Sequence, residues 1–456
     1  MKQPLLSRAL AIAAVAVAIL VPISMIGNKV SERQHRANAV VAQFAAETSG
    51  PQLVIGPLLA LTCEETFHDE KRATRDGRTE TFSEKKTTGC PTAYFTPRTF
   101  KATASMPVET RHRGIYPIRL YRAEIELAGE FDWPEPPAPN GATQRAWKNA
   151  YVGYFVKDPR GIKALSSNLP SDFLAGLGEP GLEQFSIRES LGPYASRNAG
   201  APTPASLKLT LIGTSSLQVA PVGDRNDIRL TSNWPHPSFT DAWSPDERRI
   251  AADGFEAMWR ITSMATGGQA KWKKLATDGK LASSAGAGVS LFDPVNIYAL
   301  SYRATEYAFL FVLITFSALA LTEAVAGVRL HPVQYALVGS AIAIFFLLLI
   351  ALSEHLAFAP AYATAAAACV ALLTIYLRHP LGTLPRTGAF FAIFVALYAA
   401  LYTILKSEDH ALLLGSSLVF LLLAVAMTAT RKLDWASLWA KAAASPLAAA
   451  GKPSSP

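Results

Sequence analysis

Five ionisable residues that can carry chemistry lie at the ends of apolar stretches late in the chain. Glu354 and His355 follow one apolar run, and Glu408, Asp409 and His410 precede another. Carboxylates and imidazoles gathered at one membrane face can bind a divalent cation or relay protons. Helix ends are also where polar groups normally lie, so interfacial capping explains the same residues. The sequence therefore offers a candidate functional polar cluster beside a purely structural interpretation.

A further carboxylate, Glu323, lies in the last turn of another apolar run, and Arg329 and His331 follow it. A charge at the centre of a membrane helix costs on the order of 2.5–3.5 kcal/mol. Glu323 and Arg329 are therefore predicted to form an ion pair at the membrane surface.

The two cysteines outside the apolar runs, Cys63 and Cys90, bracket a charged segment, whereas Cys369 lies inside an apolar run. In an oxidising compartment, a disulfide between the first two would contribute roughly 3 kcal/mol. Two unrelated buried thiols are the alternative. Two cysteines supply only half of a zinc site, so no metal is predicted.

Six apolar runs set the architecture that positions these residues. Each is about as long as a helix that crosses roughly 30 Å of hydrocarbon. No small-residue cleavage site directly follows the first run, which predicts an uncleaved anchor at 9–27. The other runs predict a five-helix transmembrane bundle at 306–430. The six runs are 9–26, 307–326, 333–353, 356–377, 388–405 and 411–429.

Residues 28–305, between the first run and the others, are predicted to form a large β-rich domain inserted after the first helix. Residues 121–127 and 207–211 alternate apolar and polar side chains, which is the period of half-buried strands. Residues 50–63 indicate a strand that enters the domain. The charged segment 64–89 is expected to be an exposed loop or a long hairpin.

Three finer predictions concern the connections in this domain. Residues 173–185 and 245–252 have the composition of short helices. The sequence GDRND at 223–227 lies between two strand-like pieces and predicts a hairpin turn.

Charge predicts the orientation in the membrane. With a cytoplasmic N-terminus at residues 1–8, the inside-facing segments carry nine Lys or Arg residues, and the short outside links carry only Lys406. Both termini are therefore predicted to be cytoplasmic, with residues 28–305 in the periplasm of a double-membrane bacterium. The tail at 431–456 is predicted to be mostly disordered. The basic residues indicate orientation and no nucleic-acid partner.

Particular segments carry a resemblance to a known family. They are 50–63, 111–131, 158–162 and 233–259 in the soluble part, and 290–307, 331–355, 401–417 and 430–435 in the membrane part. Together they resemble the CreD family of inner-membrane, cell-envelope-integrity proteins over nearly the full length. The resemblance implies an inner-membrane location and a link to envelope stress, with regulation by a two-component system and altered tolerance of colicins or β-lactams. It implies no catalytic mechanism, ligand or cofactor. Glu306 departs from the family, where a basic residue is expected, and segment 64–89 looks peculiar to this chain.

The leading hypothesis is a non-enzymatic envelope-integrity protein whose periplasmic domain binds a periplasmic protein or another envelope component. The lipid bilayer is the other expected partner. The alternative is a transporter or ion-coupled flippase that uses the C-terminal bundle, and a hydrolase comes third. No GxSxG, Walker A or HExxH motif is present, and no cofactor is predicted.

Overall fold

The computed structural model describes residues 4–75, 78–135, 144–169, 181–194, 202–239, 242–291, 296–326, 330–407 and 411–431. The chain divides into two compact units. One unit, the helical unit, comprises Met1–Asn38 and Val295–Pro456. The other, the β unit, comprises Ala39–Pro294.

Helix α1 is a single helix from Pro4 to Glu47, 44 residues long. Its first half is apolar, as expected for a membrane anchor. The polar second half stays helical because its residues are mostly good helix formers and form pairs along the helix, such as Lys29 with Glu32 at 2.7 Å. The helix therefore continues well past residue 27, where the apolar run ends.

The described residues of the β unit form two sheets and two short helices, α2 (Ser263–Thr266) and α3 (Gly268–Thr277). The strands are β1 (Gln52–Arg75), β2 (Arg78–Phe95), β3 (Thr99–Ser105), β4 (Val108–Arg113), β5 (Tyr116–Phe131), β6 (Gln144–Val156), β7 (Ile162–Ser167), β8 (Ile187–Pro193), β9 (Thr203–Thr214), β10 (Ser216–Val219), β11 (Arg225–Ser232), β12 (Pro237–Phe239), β13 (Glu247–Ala251), β14 (Gly254–Thr262) and β15 (Ala287–Leu291).

The first sheet has the strand order β12-β15-β10-β1-β6-β8, with β2 also paired to β1. The second has the order β13-β14-β11-β3-β5-β9-β7, with β4 also paired to β5. Both sheets contribute to one hydrophobic core, for example Leu59 and Tyr154 from the first sheet and Leu127 and Trp259 from the second. The β-rich domain is thus a two-sheet sandwich.

The alternating patterns are confirmed as strands with one buried face. In β5, Tyr121, Ala123, Ile125 and Leu127 are buried, and the polar residues between them are exposed. In β9, the apolar positions of 207–211 are buried in the same way. The strand that was predicted to enter the domain is β1.

The charged segment 64–89 belongs to a long hairpin of β1 and β2. The two strands stay in register from Cys63↔Cys90 to Arg75↔Arg78. Among the described residues, strand β6 pairs with β1 up to Thr66↔Gln144. The register of β1 with β2 continues beyond that pair to the tip of the hairpin.

Two of the finer predictions are wrong. Residues 245–252 contain strand β13, because its pairing with β14 outweighs a weak local helix preference. The GDRND segment connects β10 in one sheet to β11 in the other, so it is no hairpin turn. The Asn226 amide holds this bend by accepting from Gly223 N at 2.7 Å and donating to Ile261 O at 2.7 Å. Most of the predicted helix at 173–185 lies outside the described residues.

The helical unit continues after the β unit with further helices. They are α4 (Ile297–Glu306), α5 (Ala308–Ala326), α6 (Pro332–Ser353), α7 (Phe358–Leu381), α8 (Leu384–Lys406) and α9 (Ala411–Thr430).

Four helices in the described ranges are long and apolar enough to cross a membrane, namely Leu10–Glu47, α6, α7 and α8. Helices α4 and α5 meet at a bend of 40° and make a fifth candidate if the pair is one span. An N-terminal apolar helix, a large β-rich domain and several C-terminal apolar helices are therefore present. The count of six spans stays a prediction.

Candidate functional site

The predicted polar cluster is described only in part. Glu408, Asp409 and His410 lie outside the described residues. Glu354 caps the C-terminus of α6, and its Oε1 lies 3.5 Å from Arg33 Nε on α1. His355 follows with an exposed side chain. Over the described ranges, no group of three or more His, Cys, Asp or Glu residues is arranged to hold a metal ion.

The predicted partner of Glu323, Arg329, also lies outside the described residues. In the structure the Tyr335 hydroxyl donates to Glu323 Oε2 at 3.3 Å, which joins the end of α5 to the start of α6. Tyr335 is fully buried. This hydrogen bond is a local contact between two helices and offers no reactive group.

Cys63 and Cys90 are direct register partners in the β1–β2 hairpin. Their Cα atoms lie 5.1 Å apart, and their sulfur atoms are bonded. This Cα separation lies within the range of disulfides. The bond links β1 and β2 at a position where β1 also pairs with β6, through Cys63↔Trp147.

We expect this disulfide to be present in protein isolated without reductant. Intact-mass analysis after alkylation without reductant should show that neither Cys63 nor Cys90 is alkylated. In the Cys63→Ser variant, Cys90 should become alkylated. Loss of the bond should lower the stability of the β unit by roughly 3 kcal/mol. Free Cys63 and Cys90 thiols in protein isolated without reductant would contradict the pairing.

Several polar groups of the β unit are hydrogen-bonded to one another where α1 ends and β1 begins. We call this arrangement the junction network. Its members are Ala46, Ser49, Gly50, Gln52, Asp158, Arg160 and Thr214. They come from the last turn of α1, the start of β1, the turn between β6 and β7, and the end of β9.

Asp158 and Arg160 bind the end of α1 to the turn before β7. Asp158 precedes Pro159 and caps a one-turn helix, as a short acidic residue before proline favours. The Arg160 guanidinium donates to both Asp158 carboxylate oxygens, at 2.8 and 2.7 Å. It also donates to Ala46 O. Asp158 Oδ2 in addition accepts from Gly50 N at 3.1 Å.

The hydrogen bonds from Arg160, followed by those from backbone amides, lower the pKa of Asp158 to about 2. The carboxylate is therefore charged throughout the physiological range.

Gln52 is the buried centre of the junction network. Its side chain is 1% exposed. Its Nε2 donates to Ser49 Oγ at 2.6 Å and to Asp158 O at 3.0 Å, and its Oε1 accepts from Asp158 N at 3.2 Å. Both ends of the amide are thus satisfied, which a buried polar group requires.

Gly161 and Glu47 complete the contacts around the junction network. A Cβ on Gly161 would lie 2.3 Å from Ile212 O and 2.7 Å from Gln52 Nε2, so only glycine fits. Glu47 accepts from Arg113 Nη1 of β4 at 2.9 Å, and this bond lowers the pKa of Glu47. The groups of the network bind one another, so the arrangement is a mechanical fastening with no free nucleophile or base.

The aromatic segment at Trp234 packs on its own unit. The Arg119 guanidinium lies 4.9 Å from the Trp234 ring centroid. Trp234 Nε1 donates to His236 O at 2.9 Å, and Asn233 Oδ1 accepts from Val108 N at 2.7 Å. These contacts fix the loop in place.

Sequence reasoning missed the partners that matter most here. The pairing of Arg33 with Glu354 cannot be predicted without knowing that α1 lies beside α6. Gln52 and Arg160 stood in segments that carried the family resemblance but had no predicted role. The Asp-Pro-Arg-Gly sequence at 158–161 was the available signal, because Asp before Pro indicates a capped turn.

Comparison with known proteins identifies the family. The sequence model described as "Inner membrane protein CreD" matches residues 4–436. "Inner membrane protein CreD" of Escherichia coli (strain K12) is 30% identical over 452 residues, which covers 95% of this chain and 94% of that protein. No solved structure matches significantly. A match of this extent shows that the chain belongs to the CreD family of inner membrane proteins.

Proposed function

We propose that this protein supports cell-envelope integrity without being an enzyme, through a periplasmic β unit that binds a periplasmic protein or another envelope component. The observation that carries the proposal is the junction network. It fastens the last turn of a long helix, whose first part is a membrane anchor, to β1, β7 and β9 of the sandwich. These hydrogen bonds suit a protein that links a membrane anchor to a partner bound by its β unit.

The proposed topology has six transmembrane helices, both termini in the cytoplasm and residues 28–305 in the periplasm. The charge bias of the links supports it. The packing of α1 on α6 agrees, since Gly339 faces Ile19 and Glu354 faces Arg33. The rise between these contacts is about 21 Å along α1 and about 22 Å along α6 at 1.5 Å per residue. The two helices therefore run parallel, as two helices that begin on the same membrane side must.

The interior of the helical unit does not favour the transporter alternative. Aromatic rings fill it, with centroids 4.6 Å apart for Phe345 and Tyr398 and 5.0 Å apart for Phe311 and Tyr398. The Tyr362 hydroxyl donates to Tyr398 O at 2.7 Å, and the Tyr398 hydroxyl donates to Cys369 Sγ at 3.1 Å. In the described part of these helices, the buried Ser and Thr side chains and these Tyr and Cys groups are all uncharged. Charged groups near mid-membrane, which ion-coupled transport commonly uses, are not found among them.

The test is complementation of an envelope-stress phenotype in a deletion strain by full-length variants at matched abundance. Arg160→Ala removes the bonds to Asp158 and Ala46 and should abolish complementation. Arg229→Ala is the matched control, because Arg229 is an exposed arginine 3.9 Å from Glu256 on the sheet surface. It should complement fully.

The double variant Glu354→Gln, His355→Ala tests the alternative in the same assay. It should complement at least in part if the helices serve as an anchor. Full complementation by Arg160→Ala, together with loss by the Glu354/His355 variant, would contradict the proposal. That result would favour a functional role for the polar cluster, in transport or in metal binding.

A further inference from the structure

A carboxyl group is buried inside the sandwich at Glu189. Strand β8 places Ile187, Glu189 and Leu191 on its buried face, so a charged residue stands where an apolar one is expected. Glu189 is 0% exposed. Its register partner is Val152 of β6, and Tyr154 lies two residues further along the same face.

No described residue neutralises the Glu189 carboxyl group. Neither Glu189 carboxylate oxygen has a hydrogen-bond partner, and the buried Tyr154 hydroxyl also lacks one. Ser167 of β7 is the polar neighbour from the other sheet, but its hydroxyl donates to Ser206 O at 3.2 Å. Among the described residues, Tyr154 is the other titratable group near Glu189, and no cation balances its charge.

Glu189 lies where the two sheets have irregular strand pairing. Among the described strands, β8 is the last of one sheet and β7 is the last of the other. The pairing of β8 with β6 shifts register between Ala150 and Tyr151. The pairing of β7 with β9 shifts between Ile162 and Ala164. Strands with irregular ladders belong to the low-stability part of a domain.

We propose that Glu189 makes the β7–β8 edge of the sandwich a pH-sensitive closure, which is shut when the carboxyl is protonated and loosened when it is ionised. A neutral carboxyl is far less costly to bury than a carboxylate without a partner. Local opening lets water reach the group, so ionisation favours the open edge.

The direction of the pH dependence follows from linkage. Burial raises the pKa of Glu189 above its ordinary value of 4.5, and the nearby Ser167 hydroxyl offsets this only in part. In the opened edge the group has its ordinary pKa. The closed edge therefore has its full stability below about pH 4.5. Its stability falls as the pH rises to the closed-state pKa and does not change further above that pKa.

Hydrogen exchange on full-length protein in nanodiscs tests this, at about pH 4.5 and about pH 7.5. Each rate is divided by the exchange rate of an unstructured reference at the same pH. Protection of the β7 and β8 amides should fall by about tenfold for each unit by which the closed-state pKa exceeds the open-state value. Protection of the central strands β3 and β11 should not follow this curve.

Glu189→Gln removes the titration while keeping the shape, so protection of β7 and β8 should become independent of pH. Glu124→Gln is the matched control, since Glu124 is an exposed carboxylate on β5, and it should keep the wild-type dependence. Equal protection of the wild-type edge at both pH values would overturn the proposal without any variant. A pH dependence that survives in Glu189→Gln would also overturn it.

Discussion

Replacing Gly161 with alanine is expected to destabilise the β unit strongly. The added methyl group would lie 2.3 Å from Ile212 O and 2.7 Å from both Gln52 Nε2 and Ser49 Oγ. Ile212 O belongs to the backbone of β9, so it cannot turn away as a flexible side chain does. Overpacking costs typically 1–3 kcal/mol, and a clash with backbone belongs at the upper end, about 3 kcal/mol.

In full-length protein in detergent, the unfolding transition of the β unit should fall by roughly 10 °C, since 1 kcal/mol shifts Tm by about 2–4 °C in a unit of this size. Gly89→Ala is the matched control. Gly89 is a strand glycine on β2 with nothing within 4 Å of an added Cβ. It should change Tm by no more than about 2 °C. Equal Tm values for the two variants would show that the junction network can rearrange around the added methyl group without loss of stability.

The sequence predicted the large elements of this fold because each has a strong period or length. The alternation of β5 needs only local chemistry to be recognised, and so do the apolar runs of α6, α7 and α8. The pairing of Cys63 with Cys90 followed from the lack of another candidate outside the membrane runs. These predictions required no knowledge of the tertiary fold.

The rest depended on tertiary contacts that no local pattern encodes. The GDRND segment has the composition of a hairpin turn, but Asn226 binds Gly223 and Ile261 and directs the chain into the other sheet. Strand β13 exists because β14 pairs with it. Hydropathy ends the apolar run near residue 27, whereas the polar, helical pattern of 29–46 indicates the continuation that α1 shows to Glu47.

The junction network shows why the candidate site was harder to predict than the fold. Its members come from four separate parts of the chain, and each is unremarkable alone. In the sequence, Gln52 is one polar residue at the start of a strand, and Arg160 is one basic residue in a turn. Only the fold brings both of them to Asp158, with which each forms hydrogen bonds. Glu189 was detectable in principle, since it interrupts the apolar face Ile187–Leu191, but a single interruption in a short strand is weak evidence of anything.

Charge reversal at Arg33 is expected to weaken the helical unit, and the swapped pair should restore it. Glu354 has a side chain only 12% exposed, with Arg33 Nε 3.5 Å away. Arg33→Glu would leave that carboxylate facing a like charge in a desolvated place. Breaking a fully buried pair costs 3–5 kcal/mol. Because the Arg33 side chain is 45% exposed, we expect a smaller loss of about 2 kcal/mol.

The double variant Arg33→Glu, Glu354→Arg should recover most of that loss, and the cycle isolates the interaction between the two positions. Thermal unfolding of full-length protein in nanodiscs is the measurement. Arg36→Glu is the matched control, because Arg36 lies one turn along α1, is 61% exposed and lies 3.9 Å from Glu32 of its own helix. It should have little effect. If Arg33→Glu and Arg36→Glu behave alike and the swap recovers nothing, α1 does not pack on α6 as a parallel neighbour. The support that this packing gives to the proposed membrane orientation would then be lost.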